Sequence, residues 1–175
     1  MVGNVRTDPV SLLFDSSHHS KGSMAGESAN LDCICNGTLF CEWEKMKKGK
    51  ERFTDAINKS SEQEVLIDQL FDILCDTEES EILPENTLFS REAEAKFSSI
   101  FVFPFKVPDR KLTFGTISST ILLVDHENQA TFIEQNWNEF FMKNNIENKE
   151  DFHRVRKEIP AEEIRAFSFK INGTT

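Results

Sequence analysis

The apolar residues of this chain repeat with a helical period over residues 43–74 and with a period of two over residues 97–103. A single change of period of this kind predicts helices first and strands afterwards. The first apolar stripe predicts a helix over residues 42–58, with the aliphatic stem of Lys50 lying along the stripe. The other members of this stripe are Trp43, Met46, Phe53 and Ile57.

A second helical stripe follows the pattern Ser61-x-x-Glu64, which is the signature of a capping box. It predicts a helix over residues 62–75, and we interpret both stripes as core-facing. Its apolar members are Ile67, Leu70, Phe71 and Leu74. The acidic stretch over residues 77–81, before Pro84, is interpreted as a solvated connection without a partner.

Four later segments have the patterns of strands. Side chains that alternate with a period of two predict a strand over residues 97–103. An apolar run predicts a second strand over residues 120–124, central in its sheet. A hairpin loop in which Asn128 has positive φ leads to a third strand over 130–134. A terminal strand over 165–171, ended by Gly173, is the fourth.

Weaker patterns complete the set of elements. They predict a short strand over residues 10–14 and helical segments around Trp137 and over 149–158. The order of the elements predicts an α+β fold with a largely antiparallel sheet and covering helices.

Composition limits the classes of function. A chain of 175 residues fits one domain, and its net charge of -10 disfavours a nucleic-acid partner. No apolar run approaches the roughly 20 residues of a transmembrane segment, and the N-terminus lacks the pattern of a secretory signal. The 16 Phe residues are accompanied by no Tyr, so a phenolic general acid is excluded.

The cysteines and histidines do not have metal-site spacing. Cys33, Cys35, Cys41 and Cys75 include no C-x-x-C pair and no His at ligand spacing, so we interpret them as reduced, idle or buried thiols and expect no metal site. His18 and His19 lie in a Ser/Gly-rich stretch and are interpreted as part of a solvated loop.

Two blocks of sequence carry a family resemblance. The first is Trp43-Glu-Lys-Met-Lys-Lys-Gly49-Lys50-Glu-Arg-Phe53, and the second runs from Phe114-Gly115-Thr116 through Thr120 to Asp125, with Thr131-Phe132-Ile133-Glu134 after the hairpin. They resemble the C-terminal half of the transport and Golgi organisation 2 proteins, also called the NRDE family. The resemblance covers residues 35–171, and the positions that match the family pattern are Trp43, Lys45, Gly49, Lys50, Phe53, Gly115, Thr116, Thr120 and Asp125.

The chain departs from the family pattern in two ways. The Asn-Arg-Asp-Glu motif and a Cys directly after the initiator Met are absent, and Ile117 stands where the family has Arg. We therefore expect a truncated member or short isoform, with a loose segment over residues 1–32 and the C-terminal part of the family domain over 33–175. The replaced Arg removes a cation with five hydrogen-bond donors, and we expect ligand contact to be weakened.

The resemblance implies a fold, a function and a location. The implied fold is part of an αββα sandwich like that of the N-terminal-nucleophile hydrolases. The implied function is non-enzymatic intracellular trafficking, including Golgi organisation, protein secretion and haem handling, with an unknown protein or haem as partner. The implied location is cytoplasmic, with Golgi or mitochondrial association, and no catalytic residue is assigned.

Two alternatives stay open. An amidohydrolase remnant would need an N-terminal Cys, Ser or Thr nucleophile, and a plain interaction module would use exposed Phe-rich strands. Haem is the only cofactor implied, and its usual protein ligands are His, Cys, Met or Tyr. Because His126, His153 and the cysteines lie outside both blocks, we expect any porphyrin contact to be apolar, through Phe side chains.

Truncation carries an expectation for stability. A sandwich without its first strands would leave apolar faces such as Phe97, Phe101 and Phe103 uncovered. We therefore expect the isolated chain to be marginally stable.

Overall fold

Helices and antiparallel strands both occur in the computed structural model of the chain, which confirms the α+β class. The model describes residues 11–14, 31–34, 43–83, 89–107, 112–160 and 163–171. Of the predicted features, Gly173, the loop around His18 and His19, and the side chains of Cys33, Cys35 and Cys41 lie outside the described residues.

The two predicted N-terminal helices are present. Helix α1 spans Glu44–Lys59 and helix α2 spans Gln63–Leu74, within two residues of the predicted bounds. The capping box is wrong, because Glu62 occupies the N-cap position of α2 and makes no side-chain cap hydrogen bond. Ser61 therefore lies one residue too early to cap the first turn.

The remaining elements follow in chain order. A hairpin of β1 (Ser11–Phe14) and β2 (Leu31–Ile34) precedes α1, and its first strand is the one predicted near residue 10. The elements after α2 are α3 (Arg91–Phe97), β3 (Phe105–Lys106), β4 (Thr113–Phe114), β5 (Ser118–Val124), β6 (Gln129–Asn136), α4 (Trp137–Asn144), α5 (Lys149–Val155), a 3₁₀ turn (Arg156–Glu158) and β7 (Arg165–Lys170).

The described strands pair antiparallel in three small sheets. Strands β1 and β2 form one pair and β3 and β4 another. Strands β5, β6 and β7 form a three-stranded sheet with β6 in the middle. The prediction that residues 120–124 form a central strand is therefore wrong, because β5 is an edge strand of this sheet.

The strand predicted over residues 97–103 is also wrong. Helix α3 ends at Phe97, and the residues after it are irregular as far as β3. The hydroxyl of Ser98 donates to the Ala95 carbonyl at 2.6 Å, and that of Ser99 donates to the Phe101 carbonyl at 2.7 Å. Such local hydrogen bonds offer the backbone an alternative to a strand ladder. We call residues 97–104 the central segment.

The central segment supplies side chains to three hydrophobic clusters. Ile100 belongs to the first cluster, which lies between α1, α2 and one face of β5 and β6. Phe101 belongs to the second cluster, with α4 and α5. Phe97 and Val102 belong to the third, with β3 and β4. Its alternating apolar pattern therefore reflects burial on several sides instead of strand geometry.

This burial corrects the expectation about uncovered Phe residues. Phe97 is 4% exposed and Phe101 is fully buried, while Phe103 is partly buried against the second cluster. Phe101 stacks on Phe152 with ring centroids 4.5 Å apart, and Phe103 meets Phe141 edge-on at 5.3 Å. Phe101 and Phe103 are therefore covered by α4 and α5, and Phe97 packs in the third cluster with β3 and β4.

Candidate functional site

The first motif block places a buried cation beneath the central segment. Lys45, on the first turn of α1, is 4% exposed, and its amine donates to the Phe97 carbonyl at 2.7 Å. The amine also lies 4.9 Å from the centroid of the Trp43 ring, at cation–π distance. The carbonyl that accepts from Lys45 belongs to the last residue of helix α3, where a cation is favoured by the helix dipole.

One to two turns further along α1, Gly49 and Phe53 contact the same segment. A Cβ added at Gly49 would lie 3.7 Å from the Ile100 side chain, so α1 and the segment are in van der Waals contact there. Phe53 packs in the first cluster together with Ile100. Lys50, another motif position, is half-buried on α1.

The second motif block contacts the segment from the other side. The Thr116 N–H donates to the Val102 carbonyl at 2.8 Å, and the Thr116 hydroxyl accepts from the Val102 N–H at 2.9 Å. A Cβ at Gly115 would lie 3.1 Å from Cα of Pro104, which is closer than ordinary side-chain contact. Gly115 is therefore the residue that allows the two backbones to approach.

The structure thus brings six of the nine motif positions to one place. All six lie around the central segment, and they are Trp43, Lys45, Gly49, Phe53, Gly115 and Thr116. Two motif positions of the second block lie away from it: Thr120 is exposed on β5, and Asp125 lies in the β5–β6 hairpin.

Asp125 holds the hairpin turn. Its carboxylate accepts from the N–H groups of Glu127 and Gln129, both at 2.8 Å. Asn128 has φ 61°, which confirms the prediction of a left-handed residue in this loop. Ile117, the residue that replaces the family Arg, is half-buried just before β5, and its carbonyl accepts from the Trp137 N–H at 2.7 Å.

The acidic connection after α2 and Asp76 just before it are paired with cations, which corrects the interpretation of the connection as a solvated loop without partners. Asp76 lies 2.7 Å from both the Lys48 amine and the Arg52 guanidinium of α1. Glu79 lies 3.0 Å from the Lys96 amine of α3 and 2.6 Å from the Lys149 amine of α5. The connection therefore joins three helices.

These contacts shift the acid–base properties of the connection. Burial alone would raise the pKa of Asp76, but the hydrogen bonds from Lys48 and the Glu78 N–H and the nearby cations bring it below its ordinary value. The pKa of Glu79 is likewise lowered, because hydrogen bonds from Lys149 and Lys96 outweigh its desolvation. Both carboxylates are held in the charged form.

A histidine and a cysteine lie next to this connection. The Thr77 hydroxyl and His153 Nε2 are 2.8 Å apart, and burial together with the charge of Arg156 lowers the pKa of His153. Cys75 is 1% exposed, and burial raises the pKa of its thiol to about 12. Cys75 is therefore a protonated thiol at neutral pH, unsuited to nucleophilic attack or metal ligation.

The three-stranded sheet has one face that the described helices leave open. Ile121 and Ile133 pair across β5 and β6 and pack on α2, so the neighbouring positions in each strand face away from that helix. The residues there align across the sheet as Leu122–Phe132–Phe167 and Val124–Ala130–Phe169. We call this the outer face. Four of its side chains are strongly exposed, namely Leu122 (57%), Val124 (44%), Phe167 (58%) and Phe169 (49%).

Sequence reasoning missed two of these features. The burial of the Lys45 amine was not predicted, and only the position of Phe97 shows why it is buried. The pairing of Asp76 with α1 had one available signal, because Lys48 and Arg52 are four residues apart and share a helix face.

Comparison with known proteins places the chain in a family. Residues 2–139 match the family model described as Transport and Golgi organisation 2, so the match begins before residue 33 and ends within α4. The chain is 31% identical over 110 residues to the Transport and Golgi organization 2 homolog of Mus musculus, and 28% identical over 110 residues to the Transport and Golgi organization protein 2 homolog of Bos taurus.

Each alignment covers 58% of this chain and 37% of the relative, so the chain spans little more than a third of the length of these proteins. Among the helices that the structure describes, none is long and apolar enough to cross a bilayer. Because the family model matches well over half of the residues and the motif positions meet around one buried segment, the chain belongs to the Transport and Golgi organisation 2 family.

Proposed function

We propose that this chain is a non-enzymatic intracellular protein that serves Golgi organisation, protein secretion and haem handling. Family membership supports the class of function, and the names of the mouse and bovine relatives refer to transport and Golgi organization. The cytoplasm, with Golgi or mitochondrial association, is the location that fits these roles.

The observation that carries the proposal is the structural use of the motif. The amine of Lys45 and the hydroxyl of Thr116 both form hydrogen bonds with backbone groups of the central segment. The carboxylate of Asp125 accepts hydrogen bonds from the backbone of the hairpin turn. A catalytic motif would instead direct such groups at a substrate. This arrangement favours a rigid binding scaffold.

The state of Cys75 removes this residue as a nucleophile for the alternative function, an amidohydrolase. An amidohydrolase of the N-terminal-nucleophile type needs an accessible nucleophile beside a base. Cys75 is buried, and its pKa of about 12 keeps the thiol protonated.

Haem contact would be apolar. The candidate ligand His153 already shares its Nε2 with Thr77, while Cys75 is a protonated, buried thiol. Phe167 and Phe169, by contrast, expose about half of their surface on the outer face. The same exposed face favours the second candidate, an interaction module that binds a protein through this sheet.

The trafficking role is tested by complementation. In mouse cells depleted of the matching relative, expression of this chain should restore Golgi morphology and secretion of a reporter at least in part. If the full-length mouse protein restores both and this chain restores neither, the proposal is wrong for this chain. Hydrolysis of amide substrates by the purified chain would overturn the non-enzymatic assignment.

The haem role is tested by titrating purified chain with haem and following the absorbance. The Ile117→Arg variant should bind haem more tightly than the unmodified chain, because it restores the cation of the family pattern within the second motif block. Ile82→Arg is the matched control, since Ile82 is 69% exposed on the connection after α2 and gains the same charge. An equal gain in haem affinity in both variants would contradict the expectation that Ile117 weakens haem binding. A wild-type haem affinity equal to that of the mouse relative would contradict it as well.

A further inference from the structure

The Ser61-x-x-Glu64 motif has no role in capping helix α2, because Glu62 occupies the N-cap position. Its serine lies in the connection between α1 and α2. Ser61 is exposed, and among the contacts of the described residues its hydroxyl forms no hydrogen bond. The neighbouring Ser60 differs, since its hydroxyl donates to Oε1 of Gln69 at 3.1 Å. Ser61 therefore presents a free hydroxyl group to solvent.

The sequence that follows Ser61 is acidic. Glu62 and Glu64 stand at positions +1 and +3, and no Lys or Arg occurs from residue 60 to residue 90. No other Ser or Thr in the whole sequence has acidic residues at both +1 and +3. Kinases select their substrates by the pattern of charge around the acceptor hydroxyl. A pattern of negative charge after the acceptor fits a kinase whose substrate groove is basic.

The backbone around Ser61 is extended. Ser60 has φ -90° and ψ 121°, and Glu62 has φ -121° and ψ 141°. In an extended segment alternate side chains lie on one side, so the residues at +1 and +3 face the same way. Both carboxylates can then meet one basic groove, once the segment is extended as far as Glu64.

Extending the segment to Glu64 opens only the first turn of α2. Residues 61–65 are all exposed, and α2 begins without a side-chain cap hydrogen bond. The side-chain contact of this turn with the sheet is an exposed hydrogen bond of 3.2 Å from the Gln63 amide to the Thr131 hydroxyl. A helix end that buries so little opens at low cost in free energy.

We propose that Ser61 is a phosphorylation site for a serine kinase that recognises acidic residues after the acceptor. In the reaction, Ser61 Oγ forms a bond to the γ-phosphorus of ATP, and the bond from that phosphorus to the β-phosphate oxygen breaks. ADP leaves, and the hydroxyl proton passes to the catalytic base of the kinase. The phosphate adds a charge of about -1.5 to -2 at neutral pH. Because it lies near the positive end of the α2 dipole, the fold accommodates it.

Incubation of the full chain with Mg²⁺, ATP and a purified acidophilic serine kinase tests the proposal. We expect intact mass spectrometry to show one added phosphate per chain, and peptide mapping to place it on Ser61. Ser61→Ala should abolish the incorporation. Ser60→Ala is the matched control and should be phosphorylated like the wild type, because its hydroxyl is already bonded to Gln69. Circular dichroism should show that the phosphorylated chain keeps its helix content.

Charge removal tests the recognition of the acidic residues. Glu64→Gln should lower the initial rate of phosphorylation about tenfold or more, since it removes the carboxylate at +3 and keeps the shape of the side chain. Asp68→Asn is the matched control, because Asp68 is exposed further along α2 and lies outside the motif. This variant should be phosphorylated at the wild-type rate.

The inference goes beyond the trafficking and haem roles and does not depend on them. Phosphate on another residue, equal rates for Glu64→Gln and the wild type, or loss of helix content after phosphorylation would overturn it. A free peptide of residues 57–68 serves as the reference substrate. If the kinase leaves the folded chain unmodified, whether or not it phosphorylates this peptide, the inference is wrong.

Discussion

At the scale of single residues, Asn128 tests the geometry of the hairpin. Its φ of 61° is a conformation that Gly adopts freely, Asn adopts at modest cost and β-branched residues rarely adopt. We expect Asn128→Gly to be neutral or slightly stabilising and Asn128→Val to lower the free energy of unfolding by about 1 kcal/mol or more. Urea denaturation measures both, and equal stability of the two variants would contradict the turn geometry.

His153 gives the chain a pH dependence near neutrality. Its pKa is lowered in the folded state by burial and by the charge of Arg156, so the unfolded chain binds the proton more tightly. Stability contributed by neutral His153 is therefore complete above the ordinary pKa of about 6.5 and declines as pH falls below it.

The His153→Gln variant isolates this effect. Asp76 and Glu79 have lowered pKa values, so their stabilising contribution is lost only under more acidic conditions, below their ordinary values. Between pH 8 and 5.5 we therefore expect the unfolding midpoint of the wild type to fall more than that of His153→Gln. Parallel curves for the two proteins would show that His153 does not titrate in this range.

At the scale of elements, the two motif threonines should respond differently to the same change. Thr116→Val removes the acceptor of the Val102 N–H and should cost about 2 kcal/mol, since it leaves a partly buried donor unpaired. Thr120→Val replaces a hydroxyl by a methyl group at an exposed strand position and should change the free energy of unfolding by less than about 0.5 kcal/mol. Chemical denaturation of both variants checks the difference, and a larger cost at Thr120 would contradict the arrangement.

The elements differ in how far their sequence determines them. The stripes of α1 and α2 and the hairpin around Asn128 are visible because period and turn chemistry are local. The central segment has the sequence pattern of a strand without being one. Burial on several sides gives the same alternation of residue types around Phe101 as burial of one strand face would give. Sequence identified most of the motif residues around this segment, but it could not show that they meet there, because the Lys45 amine and the Phe97 carbonyl are 52 positions apart.

At the scale of the whole molecule, the three hydrophobic clusters should unfold together. The central segment contributes to each of them, so the loss of one removes packing from the others. The two tryptophans report on different places, because Trp43 packs against the third cluster and Trp137 lies within the second.

Variants with a single tryptophan test this cooperativity. In Trp43→Phe and Trp137→Phe, the remaining fluorophore and far-ultraviolet circular dichroism should give the same transition within each variant. Trp137→Phe should unfold at a lower denaturant concentration than the wild type, since it loses the hydrogen bond from the Trp137 indole N–H to the Ser119 hydroxyl at 2.8 Å. Separate transitions in either variant would show that the clusters are independent.

The sandwich of four layers stays a prediction. Marginal stability also stays a prediction, but the burial of Phe97 and Phe101 removes the argument from uncovered rings on which it was based.

The position of the central segment also sets the order of folding. The α1–α2 pair and the β5–β6 hairpin close short loops, whereas the contact of Lys45 with Phe97 closes a long one, so we expect it to form late. Weakening the late contacts should speed unfolding and leave refolding nearly unchanged. In stopped-flow experiments, Lys45→Met, which removes the contact between residues 52 positions apart, should therefore have a φ-value near zero, while a substitution in the hairpin such as Asn128→Val should slow refolding. The segment that the family motif surrounds would then be the last to dock and the first to leave.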